Sequence, residues 1–173
     1  MAKAEPGTYA LLLKLDKQDR ITVGKLGTFD FPMGYYLYVG SALGPGGLRA
    51  RLARHRRHSK SSSQSSSSQT GKELHWHIDY LLQTARLIEV WSVASEERLE
   101  CKWGHVAREL SGAQVPVQGF GSSDCRCPAH LIYFSTRPNC KQFEQVLTTV
   151  AVQTENSVEV NRQWQSNPSA CWP

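Results

Sequence analysis

The chain has 173 residues, 40% of them hydrophobic and 20% charged, which suits one domain with a real core and excludes a collagen-like, mucin-like or wholly disordered chain. The net charge of +5 is concentrated: Arg49, Arg51, Arg54, Arg56, Arg57 and Lys60 fall between Gly46 and Lys60 with no acid among them, and the rest of the chain is close to neutral. One dense positive patch points to an anionic partner, nucleic acid above others.

Taken in chain order, Thr8–Leu15 is an apolar run that reads as a strand. Asp16–Asp19 turns the chain, and the alternating segment Arg20–Lys25 reads as a second strand, expected to form a hairpin with the first. Tyr35–Val39, rich in aromatic and β-branched residues, reads as a third strand. Gly44, Gly46 and Gly47 form a loop before a helix over Leu48–Arg57, whose Leu48 and Leu52 face inward. Ser59–Thr70 is almost entirely serine and glutamine and reads as a flexible loop inside the domain. Leu74–Leu82 reads as helical and Leu87–Val93 as a strand. Glu96–Leu110 reads as a long helix, because Leu99, Trp103, Val106 and Leu110 recur at helical spacing and Ser95 can serve as its N-cap. His130–Phe134 is a strand and Cys140–Val150 a final helix. The expected organisation is one domain over residues 1–152 and a polar tail over 153–173. The expected class is α+β, a small, mostly antiparallel sheet covered by helices.

No segment reads as a membrane span. Phe31–Leu48 is uncharged but holds Pro32, Pro45 and five glycines, so it is no spanning helix. Ala10–Leu13 is shorter than a signal-peptide core. Both readings favour the cytoplasm, where five cysteines at wide spacings read as thiols or metal ligands rather than a disulfide framework.

The chemistry-bearing residues fall in a definite order. Gly7-Thr8-Tyr9 opens the first strand. Tyr38-Val39-Gly40 closes the third, followed by Ser41 and Ala42. Arg51 and His55 lie four apart, on one face of the basic helix, and flank its inward stripe. Glu100 stands early in the long helix. This order resembles the GIY-YIG nuclease superfamily. More closely it is similar to a subfamily sometimes attached to endonuclease III-type repair glycosylases, through His75-Trp76-His77-Ile78-Asp79-Tyr80, Glu100-Cys101 and the stretch from Gly119 to Cys127. The resemblance spans roughly residues 7–135. Thr8 and Val39 stand where the superfamily has isoleucine. Tyr9 and Tyr38 are farther apart than usual, and the strand Arg20–Lys25 reads as an insertion between them. The superfamily's asparagine has no clear equivalent; Ser122, Ser123 or Asp124 stands in its place.

The resemblance implies a divalent-metal-dependent endonuclease acting on nucleic acid, DNA favoured. It implies Tyr9 and Tyr38 at the attacking water, Arg51 on the phosphate, His55 on the phosphate or shuttling a proton, and Glu100 anchoring Mg²⁺ or Mn²⁺. The residue types suit these tasks. Hydrated Mg²⁺ needs few protein ligands, a guanidinium grips phosphate with a planar fork, and histidine titrates near neutrality. A tyrosine acting as base would need its pKa lowered. Arg49, Arg54, Arg56, Arg57, Lys60 and Ser41 are the expected nucleic-acid contacts, adding affinity without chemistry. The bland readings are a helix-start acid for Glu100 and core packing for the tyrosines.

Cys125-x-Cys127-x₂-His130, with Cys101 as a fourth ligand, is a zinc-type donor set. C-x-C is tighter than the usual spacing, however, and reduced cysteines packed at a loop end are the simpler account. His75 and Asp79 share a face if Leu74–Leu82 is a helix, with Trp76 and Tyr80 packing. Besides the endonuclease, the sequence is compatible with a nucleic-acid-binding module that has lost catalysis, and with a zinc-stabilised protein-interaction domain.

Overall fold

The structure, a computed structural model, describes residues 4–59, 74–155 and 171–172. The Ser-rich loop, Lys60 and most of the expected polar tail lie outside these residues.

Strand β1 (Gly7–Leu15) organises the fold. Thr8 through Leu13 are buried without interruption, so the strand needs cover on both faces and a neighbour on both edges. It pairs antiparallel with β4 (Gly34–Ser41) on one side and β5 (Arg86–Ala94) on the other. With β6 (Leu131–Phe134) beside β4 and the two-residue β7 (Cys171–Trp172) beside β5, the sheet order is β6-β4-β1-β5-β7. The class is α+β, as the sequence indicates.

The expected hairpin between the first two strands does not form. β2 (Asp19–Val23) pairs instead with β3 (Gly27–Phe31) in a separate two-stranded sheet. The reason is competition: both edges of β1 are taken by the longer, more apolar β4 and β5. The β2–β3 ribbon is therefore an insertion between β1 and β4, and it packs on the main sheet through Ile21, Val23 and Phe31.

Alternation along β1 and β4 creates two cores. Tyr9, Leu11, Leu13, Tyr36 and Tyr38 point to one face, where they meet Leu48 of α1 (Gly47–His58), Ile78 and Leu81 of α2 (His77–Leu82), and the ribbon. Ala10, Leu12, Leu37 and Val39 point to the other. There they meet Leu99, Trp103 and Val106 along α3 (Glu100–Glu109) and Phe143 and Leu147 of α4 (Cys140–Glu155). The helices carrying Arg51 and Glu100 thus lie on opposite faces of the sheet.

Three helix boundaries differ from expectation. Ser95 does not cap α3: its hydroxyl accepts the Glu97 N–H within a turn, and the helix begins at Glu100 after Leu99, whose own N–H donates to Thr8 Oγ1. Helix α2 begins at His77, so His75 is not on it and shares no helical face with Asp79. Helix α4 continues to Glu155, three residues into the expected tail. Cys140 is disulfide-bonded, and is not the thiol or metal ligand that the sequence suggests. No helix among the described residues is long and apolar enough to cross a membrane.

The start of α2 is fixed by Asp79. One carboxylate oxygen accepts the N–H groups of His75 and Trp76, both at 3.0 Å, and the Arg54 guanidinium at 2.7 Å. Burial alone would raise the Asp79 pKa; the two backbone donors and Arg54 outweigh it and hold it low. Asp79→Ala leaves two donors and a half-buried cation unpaired, and should destabilise the protein by about 3 kcal/mol. Urea denaturation of the variant checks this; a change under about 0.5 kcal/mol, typical of surface substitutions, would refute the anchoring role.

Candidate active site

The site is built where β1 begins and β4 ends. Tyr9 and Gly40 are cross-strand partners. A Cβ at Gly40 would fall 2.6 Å from the Tyr9 hydroxyl and 3.3 Å from the Tyr38 ring. Glycine is required at this position because the Tyr9 phenol lies across it, with the Tyr38 ring at its side. Gly121 does the same from the loop before β6: its φ is +74°, and a Cβ there would meet the Tyr38 ring at 2.8 Å.

Helix α1 lays His55 over the two phenols. The Tyr9 hydroxyl and His55 Nε2 are hydrogen-bonded at 2.8 Å. The imidazole centroid is 5.4 Å from the Tyr9 ring and 6.5 Å from the Tyr38 ring. His55 is fully buried, and burial lowers its pKa to about 4, so it is neutral at pH 7. Its Nδ1 is buried and makes no hydrogen bond among the described residues. The neutral ring can therefore accept the Tyr9 proton or donate to the phenol oxygen.

One turn earlier, Arg51 flanks the same cluster, as the i, i+4 spacing predicts. Its guanidinium lies 4.2 Å from the centre of the Trp76 indole, and that of Arg54 lies 4.4 Å from it. Trp76 also borders His55, with ring centroids 6.2 Å apart. Trp76 does more than pack: stacking under two arginines sets where Arg51 sits. Arg51 has no carboxylate partner among the described residues and its charge reaches Tyr9, Tyr38 and His55. Arg54 differs from expectation. It is committed to Asp79 rather than free on a solvated basic face. Arg49, Arg56 and Arg57 are exposed, and Ser41 is half-buried opposite Thr8 in the register.

Glu100 reaches this cluster from the other side of the sheet. Because α3 begins at the sheet's end, tied to Thr8, its first carboxylate is close enough for its charge to raise the pKa of both Tyr9 and Tyr38. Burial is the larger cause of both shifts, and the Arg51 charge opposes them without reversing them. Both phenols are held protonated, whereas a tyrosine base requires the opposite. Glu100 is 5% exposed, and no hydrogen bond reaches its carboxylate among the described residues; Arg98 approaches to 4.0 Å and also pairs with Asp124 at 3.2 Å. A nearly buried carboxylate that meets Arg98 only at 4.0 Å among the described residues is a fitting ligand for a hard cation. Of the residues singled out in the loop before β6, Asp124 is held by Arg98, and Ser122 Oγ is buried without a hydrogen bond among the described residues.

Beside Glu100, Cys101, Cys125, Cys127 and His130 bring one ligand atom each to within 4.8 Å of one another, a group that could hold a metal ion. Burial and the two neighbouring thiols push the Cys101 thiol up to about 12. His77 lies apart from this group, and its Nδ1 accepts the Gly121 N–H at 3.0 Å.

These features define a small α+β protein with a buried tyrosine–histidine pair beneath a basic helix. The family model described as "Domain of unknown function DUF123" matches residues 8–153, and the chain belongs to that family. No curated protein and no solved structure matches the chain.

The neutral, buried His55 makes stability depend on pH. Its folded pKa of about 4 lies below the ordinary 6.5, so protonation favours unfolding. Its contribution is complete above pH 6.5 and is lost as pH falls towards 4, by up to about 3 kcal/mol. Urea midpoints from pH 8 to pH 4 should show this loss in the wild type and a flatter profile in His55→Phe; parallel profiles would contradict it.

Proposed function

We propose that this protein is a GIY-YIG-type endonuclease that hydrolyses phosphodiester bonds in nucleic acid, DNA favoured, with Mg²⁺ or Mn²⁺. The observation that carries the reading is the packing of Tyr9 and Tyr38 beside Gly40, with His55 bonded to the Tyr9 hydroxyl and the charges of Arg51 and Glu100 acting on both phenols.

In this reading Arg51, held by Trp76, grips the phosphate and opposes the charge that develops on it. The Tyr9 hydroxyl donates to His55 Nε2, which leaves the phenol oxygen free to accept a hydrogen bond from the attacking water and so to orient it. As the water attacks phosphorus and the P–O bond to the leaving strand breaks, the water's proton passes to the Tyr9 oxygen and the Tyr9 proton to His55 Nε2, while the leaving oxygen takes a proton from solvent. This relay needs no phenolate in the resting enzyme, in keeping with the raised Tyr9 pKa. Tyr38, buried beside the Tyr9–His55 pair, keeps bulk water from its inner side. Glu100 would hold the divalent cation, which supplies electrostatic stabilisation of the pentavalent phosphate. Exposed Arg49, Arg56 and Arg57 hold the flanking phosphates. The sulfur-rich group fits zinc rather than Mg²⁺, a structural ion distinct from the reacting one.

A second reading, a nucleic-acid-binding module without catalysis, is favoured by one observation: α1 and α3 lie on opposite faces of the sheet. Incubation with single-stranded, duplex and branched DNA, with and without Mg²⁺ or Mn²⁺, separates the two. Under the nuclease reading, Glu100→Gln should fold and bind as wild type while cleavage at saturating substrate falls by at least about 100-fold, the loss of several kcal/mol of transition-state stabilisation. Arg51→Ala should slow cleavage with the Mg²⁺ dependence unchanged. Metal-dependent cleavage equal in wild type and Glu100→Gln removes Glu100 from the chemistry. No cleavage by wild type under any metal makes the binding module the better account.

The basic helix has its own test. Replacing exposed Arg49 and Arg56 by glutamine should lower the slope of log affinity against log salt by up to about 1.8, roughly 0.9 per lost phosphate contact. Single-turnover cleavage at saturation should persist. A collapse of that rate would mean these arginines act in the chemistry.

A further inference from the structure

Three separate segments supply the sulfur-rich group: Cys101 in the first turn of α3, Cys125 and Cys127 on the loop before β6, and His130 at the strand's entry. His130 Nε2 is 3.4 Å from Cys125 Sγ and 3.9 Å from Cys101 Sγ. Donor atoms around tetrahedral zinc lie about 3.8 Å apart when Zn–S is about 2.3 Å, so these atoms already stand near the required spacing. All three cysteines are free thiols.

The group sits between the two halves of the candidate active site and is joined to both. On one side Cys101 directly follows Glu100, so whatever fixes Cys101 fixes the turn that presents the carboxylate. On the other side the His130 carbonyl accepts the Val39 N–H at 2.9 Å, next to Tyr38, and the His130 N–H donates to the Phe120 carbonyl at 2.8 Å. Gly121 packs against both the Tyr38 ring and the His130 Cβ, and Phe120 meets Tyr38 edge-on with centroids 6.3 Å apart.

We propose that Cys101, Cys125, Cys127 and His130 bind a zinc ion that acts as a positioning element, setting Glu100 relative to Tyr38, so that zinc occupancy governs how well the Glu100 site takes Mg²⁺. Each thiol gives its proton to solvent as its Zn–S bond forms. Three thiolates leave a net charge of −1 on the centre, and the Arg108 guanidinium, which donates to the carbonyl of Ala129 next to His130, offsets it. Binding of zinc stands independently of the nuclease reading; the effect on Mg²⁺ rests on that reading.

The test uses the full chain, stripped of metal under reducing conditions, with Co²⁺ as the spectroscopic probe. Wild type should give the intense spectrum of tetrahedral thiolate-bound cobalt, displaced by Zn²⁺. Cys127→Ser should lose most of the sulfur charge-transfer intensity, and Cys127→His should keep a tetrahedral spectrum. A weak octahedral spectrum, or thiols that pair as a disulfide without taking up metal, overturns the site. Zinc loading should also slow amide exchange in segments 99–103 and 119–131; exchange there that ignores zinc overturns the positioning role even if zinc binds. The Mg²⁺ concentration for half-maximal cleavage should rise about 10-fold in Cys127→Ser, as for other losses of a metal-site supporting group, and return in Cys127→His. DNA binding without Mg²⁺ should stay unchanged. Equal Mg²⁺ dependence in all three proteins refutes the coupling. If wild type cleaves nothing, the nuclease reading fails, while the cobalt spectrum and the exchange data still decide the zinc site and its hold on the Glu100 turn. If Cys127→Ser does not fold, Cys127→His and the zinc-stripped wild type carry the same comparisons.

Discussion

Thr8 and Tyr9 are neighbours on β1, and strand geometry sends their side chains to opposite faces of the sheet. Each secures a helix. The Tyr9 hydroxyl meets His55 of α1 on one face, and Thr8 Oγ1 accepts the Leu99 N–H that begins α3 on the other. Two helices that never touch the same face are thereby indexed to consecutive residues of one buried strand. This is why the charges of Arg51 and Glu100 both reach the Tyr9 and Tyr38 phenols although the sheet lies between their helices. Rigidity comes from β1 itself, since it is paired along both edges and cannot shift register without exposing one core.

The electrostatics follow from that burial. The histidine and both phenols are kept neutral by desolvation, with Arg51 and Glu100 supplying opposite charges nearby. A neutral hydrogen-bonded pair flanked by one cation and one anion holds protons in reserve without a buried unpaired charge at its centre. Glu100, the anion of that flank, is met by Arg98 at 4.0 Å.

Features governed by local periodicity were legible in the sequence. An apolar run and an aromatic-rich strand are strong signals, and they mark β1 and β4 nearly to their ends. The shared face of Arg51 and His55 followed from four-residue spacing, and the α3 stripe from Leu99, Trp103, Val106 and Leu110. What the sequence left hidden were choices between competing partners. Nothing local says that β2 will be excluded from β1 and take β3 instead, because that outcome is set by β4 and β5. Ser95 has the right chemistry for a cap, but Thr8, 91 positions from Leu99 in the chain, takes the decisive N–H. Arg54 looks like its exposed neighbours until Asp79 folds against it, and Trp76 gains its role only from the arginines above it. The cysteine and histidine convergence was foreseeable in part from C-x-C-x₂-H. Cys101 joins it only because α3 begins at the sheet's end.

The pairing of β1 also bears on how the chain is made. β1 leaves the ribosome ahead of both its neighbours: β4 begins at Gly34, and β5 only at Arg86. Until Arg86–Ala94 has emerged, one edge of a strand apolar on both sides lacks its partner, and the ribbon, α1 and α2 have an incomplete sheet to fold upon. Such long-range pairing slows folding and prolongs the exposure of a sticky edge. The nascent chain is thus most prone to association before β5 appears, and silent changes in translation speed between Ser41 and Arg86 would alter the yield of soluble protein without altering any contact in the finished fold.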